Sequence, residues 1–324
     1  VIEIVALSDA MREVVRLAKR VAATDANVLV TGESGAGKDA LASFIHARSP
    51  RRDAALVKID CAALPSDLLE AELFGYERGA FTGATEARPG RLEAAHKGTL
   101  VLDEIAHLSV DAQAKLLRVI EEREFERLGG RRTIKVDARF VALTNVDLDD
   151  AVRRRAFRED LFYRLNVMRL HVPPLRERPE DIDELANSFL KTYSMKHGRA
   201  VTGIAPETLL ILKAYEFPGN VRELANAIER AVIVAGESRI QEADLPESLR
   251  ASVLMQKSGR KRRSLAELEA DYIAETLGVV RGNKSEAARL LGISRKNLYE
   301  KLARYKIVTS GRWSAVSKKP DTDH

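Results

Sequence analysis

Gly32-Glu33-Ser34-Gly35-Ala36-Gly37-Lys38 lies between an apolar run at 27–31 (NVLVT) and a helix-period stretch that opens at Asp39. No other feature constrains the fold of this chain as strongly. Glycines let backbone N–H groups close around the β- and γ-phosphates of a nucleotide. The helix N-terminus faces the anion, and Lys38 adds a point charge. Such a loop has meaning only between a strand and a helix, and both flanks have that character. The position after the lysine, which usually carries Ser or Thr to ligate Mg²⁺, is Asp39. A carboxylate can still approach the ion or its water shell, so the loop reads as modified and functional.

A phosphate loop needs a second strand ending in acids, and Thr99-Leu100-Val101-Leu102-Asp103-Glu104 supplies it. Asp103 suits the Mg²⁺ water shell, and Glu104 suits the polarising of an attacking water. Further buried strands are read at 56–59 and 139–144, which are short and apolar. Helical periods at 11–22, 38–47 and 110–122 alternate with them, which predicts a parallel sheet covered on both faces. After Val172-Pro173-Pro174 the strand signal stops, and amphipathic helices at 180–197, 206–215 and 221–236 predict an all-α lid.

Composition sharpens the organisation. Residues 257–324 hold 16 Lys and Arg against 8 Asp and Glu, whereas the rest of the chain is slightly acidic. A basic module on a near-neutral body is what phosphate neutralisation on DNA calls for. The single cysteine, Cys61, excludes a disulfide framework and a multi-cysteine metal site, and fits a reducing cytoplasm. No apolar run reaches the ~18 residues of a membrane span. The start at Val1, without methionine, points to a missing N-terminal portion.

Near the C-terminus, Ser285, Ala287, Leu291, Gly292, Ile293, Ser294, Leu298 and Leu302 read as helix, tight turn and helix. Ser294 caps the second helix, whose outward face carries Arg295, Lys296, Asn297, Glu300, Lys301 and Arg304, as a major-groove reader would. The preceding helix opens on a Ser264-x-x-Glu267 capping box and carries Leu265, Leu268, Tyr272 and Leu277 on one face. A last segment, Gly79-Ala80-Phe81-Thr82-Gly83-Ala84, has neither helical nor strand period. It predicts an exposed loop with Phe81 at its tip, and exposure of Phe is unfavourable unless a partner buries it.

That loop spells GAFTGA, and with it the chain resembles the sigma-54-dependent transcriptional activators, bacterial enhancer-binding proteins of the NtrC type within the AAA+ ATPases. The resemblance covers nearly the whole chain, from about Ser8 to Ile307. It implies that GAFTGA contacts sigma-54 on RNA polymerase and that ATP hydrolysis drives the closed promoter complex open. It implies roles for other segments too. Residues 125–130 (FERLGG) resemble the surface loop that supports GAFTGA, and Thr144-Asn145 looks like sensor I. Arg158 and Arg164, within 157–167, look like arginine fingers, and Arg222, after Pro218-Gly219-Asn220, looks like sensor II. The C-terminal helices look like a Fis-type helix-turn-helix, which implies a dimer on palindromic enhancer DNA.

Three positions depart from that pattern: Asp39 replaces the usual glutamate, Phe217 replaces the usual tryptophan before Pro-Gly-Asn, and Asp60 stands where many relatives carry an asparagine that restrains the catalytic glutamate. A carboxylate cannot donate to Glu104, so this restraint is not expected in its familiar form. The expected organisation is an AAA+ α/β core at 1–172 with ATP and Mg²⁺ as cofactors, a lid at 173–250 and a basic linker at 251–264. A helix-turn-helix domain at 265–308 and a tail at 309–324 complete it. The expected protein is a cytoplasmic ATPase and activator that forms hexamer or heptamer rings, with a two-component signal upstream. Two other readings are an ATPase with a different target, such as a helicase loader or chelatase motor, and a non-motor repressor on the same fold. GAFTGA and the Fis-like end speak against the first; intact Lys38, Asp103, Glu104 and both arginines speak against the second.

Overall fold

A computed structural model describes residues 3–236, 238–251, 265–280 and 282–305. The linker expected at 251–264 lies outside them except for its first residue, as do the tail and the Ser264 half of the capping box. The chain divides into two compact units, Val1–Val253 and Leu254–His324.

The first unit is built on a five-stranded, all-parallel sheet. Its order is Leu56–Asp60, Thr99–Asp103, Arg139–Thr144, Val28–Thr31, Met168–His171. Strand alternation sends side chains to two layers. Leu29, Leu100, Leu102, Phe140 and Ala142 enter one apolar cluster, and Val28, Val30, Val101, Val141 and Leu143 the other. Helices cover both faces, so the central strands are apolar along their whole length. Besides Thr31 and Thr144, Arg139 is the exception. Its buried guanidinium donates to the carbonyls of Val21, Ala22 and Ala26, and so satisfies the C-terminal end of the helix Asp9–Ala22.

The strand expected to be buried at 56–59 is instead Leu56–Asp60 at the sheet edge, with only Ile59 buried. It pairs with Thr99–Asp103 on one side, and among the described residues no strand flanks the other. The opposite edge, Met168–His171, has no counterpart among the strands read from the sequence.

The lid packs Ile182–His197, Pro206–Ala214 and Asn220–Val234 around Leu190, Leu212, Phe217, Leu224 and Ile228. It is not wholly α-helical: Gly203–Ile204 and Arg239–Ile240 form a two-residue parallel ladder. So short a pairing leaves no periodic signal in a sequence.

In the second unit, helices Leu265–Val279, Lys284–Leu290 and Arg295–Arg304 enclose Ile273, Leu277, Ala287, Ala288, Leu298 and Leu302. Asn283 and Ser294 cap the last two helices through their side chains, and Gly292 at φ 66° makes the turn. Leu277 and Tyr272, expected on one face, separate. Leu277 is in the core and Tyr272 is exposed, because the five-residue step between them spans well over one helical turn. The side chains of Leu265 and Leu268 lie outside the described residues.

Candidate functional site

Strand Val28–Thr31 delivers the loop to the C-terminal edge of the sheet, beside the ends of Thr99–Asp103 and Arg139–Thr144. Ser34, Gly35, Gly37, Lys38, Asp39, Asp103, Glu104 and Arg222 line a cleft of about 130 Å³ there. Gly35 has φ 74°, and a Cβ on it would lie 2.4 Å from the Gly219 carbonyl oxygen. Only glycine lets the loop approach the lid this closely.

Lys38 is almost fully buried. Its ammonium donates to the carbonyls of Gly32 (2.8 Å) and Glu33 (3.3 Å) and stands 3.6 Å from Glu104 Oε1. The phosphate-binding charge is thus folded into its own loop, available to a stronger acceptor. Glu104 follows the strand with φ 50°, a conformation uncommon outside glycine and asparagine. That turn aims its carboxylate across the cleft, where Oε2 accepts from the Asn145 N–H at 3.2 Å. Thr144 is buried, and its hydroxyl closes a small turn with Val146. Asp60 accepts from the Ala62 N–H, and Glu104 is held by Asn145 and faced by Lys38 instead.

Asp103 accepts from the Glu104 N–H at 3.0 Å. Burial, and after it the charge of Asp39, raises its carboxyl above the usual range against the opposing pull of Lys58. The Lys58 ammonium bonds Asp39 and lies 3.3 Å from Asp103 Oδ2. A cation therefore already sits between the two carboxylates suited to Mg²⁺. The pair fits the metal: hard oxygen donors, few in number, leave positions for phosphate and water.

The lid closes the other side. Arg222 donates to the Ser34 hydroxyl at 3.0 Å, and its N–H to the Gly35 carbonyl. Three further lid residues act with it. Asn220, buried at φ 54°, donates to Glu33 and to the Ser34 carbonyl while accepting from the Leu175 N–H. Arg176 forks onto Glu33 at 2.6 and 2.9 Å. Arg176 and then Asn220 hold the Glu33 carboxyl at about 2. Buried Arg178 donates to the Ala36 carbonyl and lies 3.9 Å from Asp181, which accepts from the backbone of Leu7 and Ser8. The Pro-Gly-Asn turn signalled Asn220; nothing local signalled the two arginines.

Arg158 and Arg164 do not line this cleft. Arg158 stands just before the helix Glu159–Leu165 and forks onto Asp160 at 2.7 and 3.1 Å. Arg164, in its last turn, reaches Glu121 at 2.7 Å on a neighbouring helix. Both guanidiniums are exposed, each tied to a carboxylate of its own chain.

Gly79-Ala80-Phe81-Thr82-Gly83-Ala84 crowns a two-stranded stalk, Gly75–Tyr76 paired with Arg88–Pro89. Gly79 (φ 84°) and Gly83 (φ 105°) turn the chain where nothing packs against them. Phe81 is 41% exposed, with its ring edge against Tyr76 at 5.0 Å. The second loop props this stalk: Leu128 exchanges backbone bonds with Gly75 and Glu77, and Gly129 lies under Ala80. Arg127 ties Glu93 to Glu77.

In the second unit Ser285, Arg295, Lys296, Asn297 and Arg304 are exposed. Lys301 is not free. It bonds Glu269 at 2.6 Å, and Glu269 also accepts from the Tyr305 hydroxyl at 2.5 Å. Among the described residues no helix is long and apolar enough to cross a membrane.

Three family matches tile the chain: the sigma-54 interaction domain over residues 4–171, the AAA+ ATPase lid domain over 176–262, and the bacterial regulatory protein, Fis family, over 264–305. Regulatory protein AtoC of Escherichia coli (strain K12) is 47% identical over 308 residues, 93% of this chain and 67% of its own length. Transcriptional regulatory protein FlbD of Caulobacter vibrioides is 44% identical over 312 residues, 91% of this chain and 69% of its own. Among solved structures, NtrX from Brucella abortus in complex with ATP is similar at 34% identity and a TM-score of 0.69, over 94% of this chain and 69% of that one.

Proposed function

The chain belongs to the sigma-54 interaction family of AAA+ ATPases, and from that membership we propose how its residues divide the work of a sigma-54-dependent transcriptional activator. It is an ATPase with a Fis-type DNA-binding end. In the proposed cycle the backbone of Gly32 to Gly37 and Lys38 cradle the β- and γ-phosphates. Asp39 and Asp103 would hold Mg²⁺, and the metal would supply charge neutralisation at the phosphates. Glu104 polarises the attacking water, and Thr144-Asn145 fix its carboxylate relative to the γ-phosphate. Arg222 carries the state of that phosphate into the lid.

Arg158 and Arg164 act in trans within a ring, and a planar guanidinium suits a phosphate offered by the next subunit. Hydrolysis there moves the stalk that bears Phe81 and Thr82, which engage sigma-54 and drive the closed complex open. The Fis-type unit anchors the ring on palindromic enhancer DNA as a dimer, so the protein works in the cytoplasm, where that DNA is.

One observation carries the division of labour: both arginines are exposed and stand off the cleft of their own chain, while Lys38, Asp39, Asp103, Glu104 and Arg222 line it. Mixing tests it. Glu104→Gln keeps its arginines and loses the water-polarising base, whereas Arg164→Ala keeps the base and loses a finger. Each alone is expected to be nearly inactive, and a mixture is expected to recover ATP turnover in rings where the two complement. A mixture no more active than its components removes the trans assignment.

A further inference from the structure

Lys58 belongs to no motif of the phosphate site. It lies on the edge strand Leu56–Asp60, yet its ammonium bonds Asp39 at the start of the helix after the phosphate loop. The same ammonium lies 3.3 Å from Asp103 at the end of the neighbouring strand. These carboxylates come from separate elements and converge on one cation. Without it they would repel in a partly buried cleft, since Asp103 is only 15% exposed.

We propose that the Lys58 ammonium is a displaceable stand-in for the nucleotide's divalent ion, holding Asp39 and Asp103 together until metal and phosphates replace it. The inference rests on the ATP reading above and adds a residue to it. Three features support displacement. Lys58 is 46% exposed, so its charge can return to water at little cost. Its stem is flexible, and the strand carrying it pairs on one side only. Lys38 already serves the phosphates, whereas the partners of Lys58 are both acidic.

The consequence is an order of events. A free divalent ion competes with an ammonium already in place. A metal that arrives with a nucleotide brings phosphate oxygens as extra ligands and prevails. Lys58 thereby keeps the empty site from filling with metal alone and sets how much metal nucleotide binding requires.

The test compares full-length wild type, Lys58→Met, Lys58→Gln and Lys58→Arg by titrating Mg²⁺ against binding of a fluorescent, non-hydrolysed ATP analogue, with a parallel series in EDTA. The neutral variants are expected to reach half-saturation at about threefold to fivefold less Mg²⁺, as suits loss of a half-exposed ion pair. Lys58→Arg is expected to retain the wild-type requirement. Mg²⁺ without nucleotide should raise the melting temperature of the neutral variants more than that of wild type. An unchanged or higher Mg²⁺ requirement overturns the inference. So does loss of analogue binding by the neutral variants at saturating Mg²⁺, which would make Lys58 a phosphate ligand. Wild type that binds no analogue sinks the ATP reading and this inference together; wild type that binds, with unchanged neutral variants, sinks this inference alone.

Discussion

Glu33 shows how one loop residue joins two parts of the ATPase unit. It lies within the phosphate loop but turns to the lid, where Arg176 and Asn220 hold its carboxyl at about 2, below the ordinary 4.5. A depressed carboxyl stabilises the fold above its unfolded value and loses that contribution as pH falls from 4.5 towards 2. The side chain is 43% exposed, so screening reduces the contribution to about 1 kcal/mol. Glu33→Gln is therefore expected to lower unfolding free energy by about that much at pH 7. The gap should close on acidification, because protonated Glu33 and Gln are near equivalents. Urea titrations of both proteins at neutral and acid pH measure it, and a gap that persists undiminished at the acid end contradicts the assignment.

At the scale of elements, the stalk Gly75–Tyr76/Arg88–Pro89 separates the GAFTGA loop from the phosphate cleft, whose lining includes none of its residues. The loop's chemistry is contact, and its aromatic is 41% exposed with Tyr76 against it. Phe81 gains burial only when a partner takes it up. Phe81→Ala or Thr82→Ala should keep ATP turnover and DNA binding within about twofold, because surface changes away from a site alter little. What should vanish is the complex with sigma-54 trapped by a γ-phosphate transition-state mimic, and with it promoter opening. Normal opening by Phe81→Ala would refute the loop's role. Gly129 beneath Ala80 and the Arg127 pairs with Glu77 and Glu93 explain why such a glycine-bearing loop has a defined base.

The whole molecule divides its charge as it divides its structure. Residues 257–324 carry twice as many basic as acidic groups, on a body that is slightly acidic. Binding to any duplex should then weaken steeply with salt through the C-terminal unit. Specificity should rest on Arg295 and Asn297, exposed at the start of their helix. Replacing either with Ala is expected to remove ~1–3 kcal/mol of discrimination between cognate and random duplex. Lys301→Ala should leave the salt slope nearly unchanged, because Glu269 already neutralises that charge. Affinities across a salt series, on cognate and random DNA, separate these effects. A Lys301→Ala slope that falls by a full counterion would show that the pair opens on DNA.

Much of this was legible in the residues themselves. A glycine loop between strand and helix, an apolar strand ending in Asp103-Glu104, and a capped turn at Gly292-Ile293-Ser294 announce themselves because their chemistry is local. Each requirement is met by neighbours in the chain, so period and spacing reveal it. The sequence also determined the sheet's covered centre, since strands buried on both faces must be apolar throughout. Strand order did not follow from it. Residues 56–59 read as buried, yet pairing put that strand at the edge and half exposed Lys58 beside Asp39 and Asp103. Only tertiary structure brought Arg176 and Asn220 onto Glu33 across more than a hundred residues. It alone tied Arg164 to Glu121 on another helix, away from the cleft. The physical reason is the same throughout. Local order is written in the propensity and period of adjacent residues, whereas ion pairs, strand neighbours and buried polar contacts depend on which distant surfaces meet.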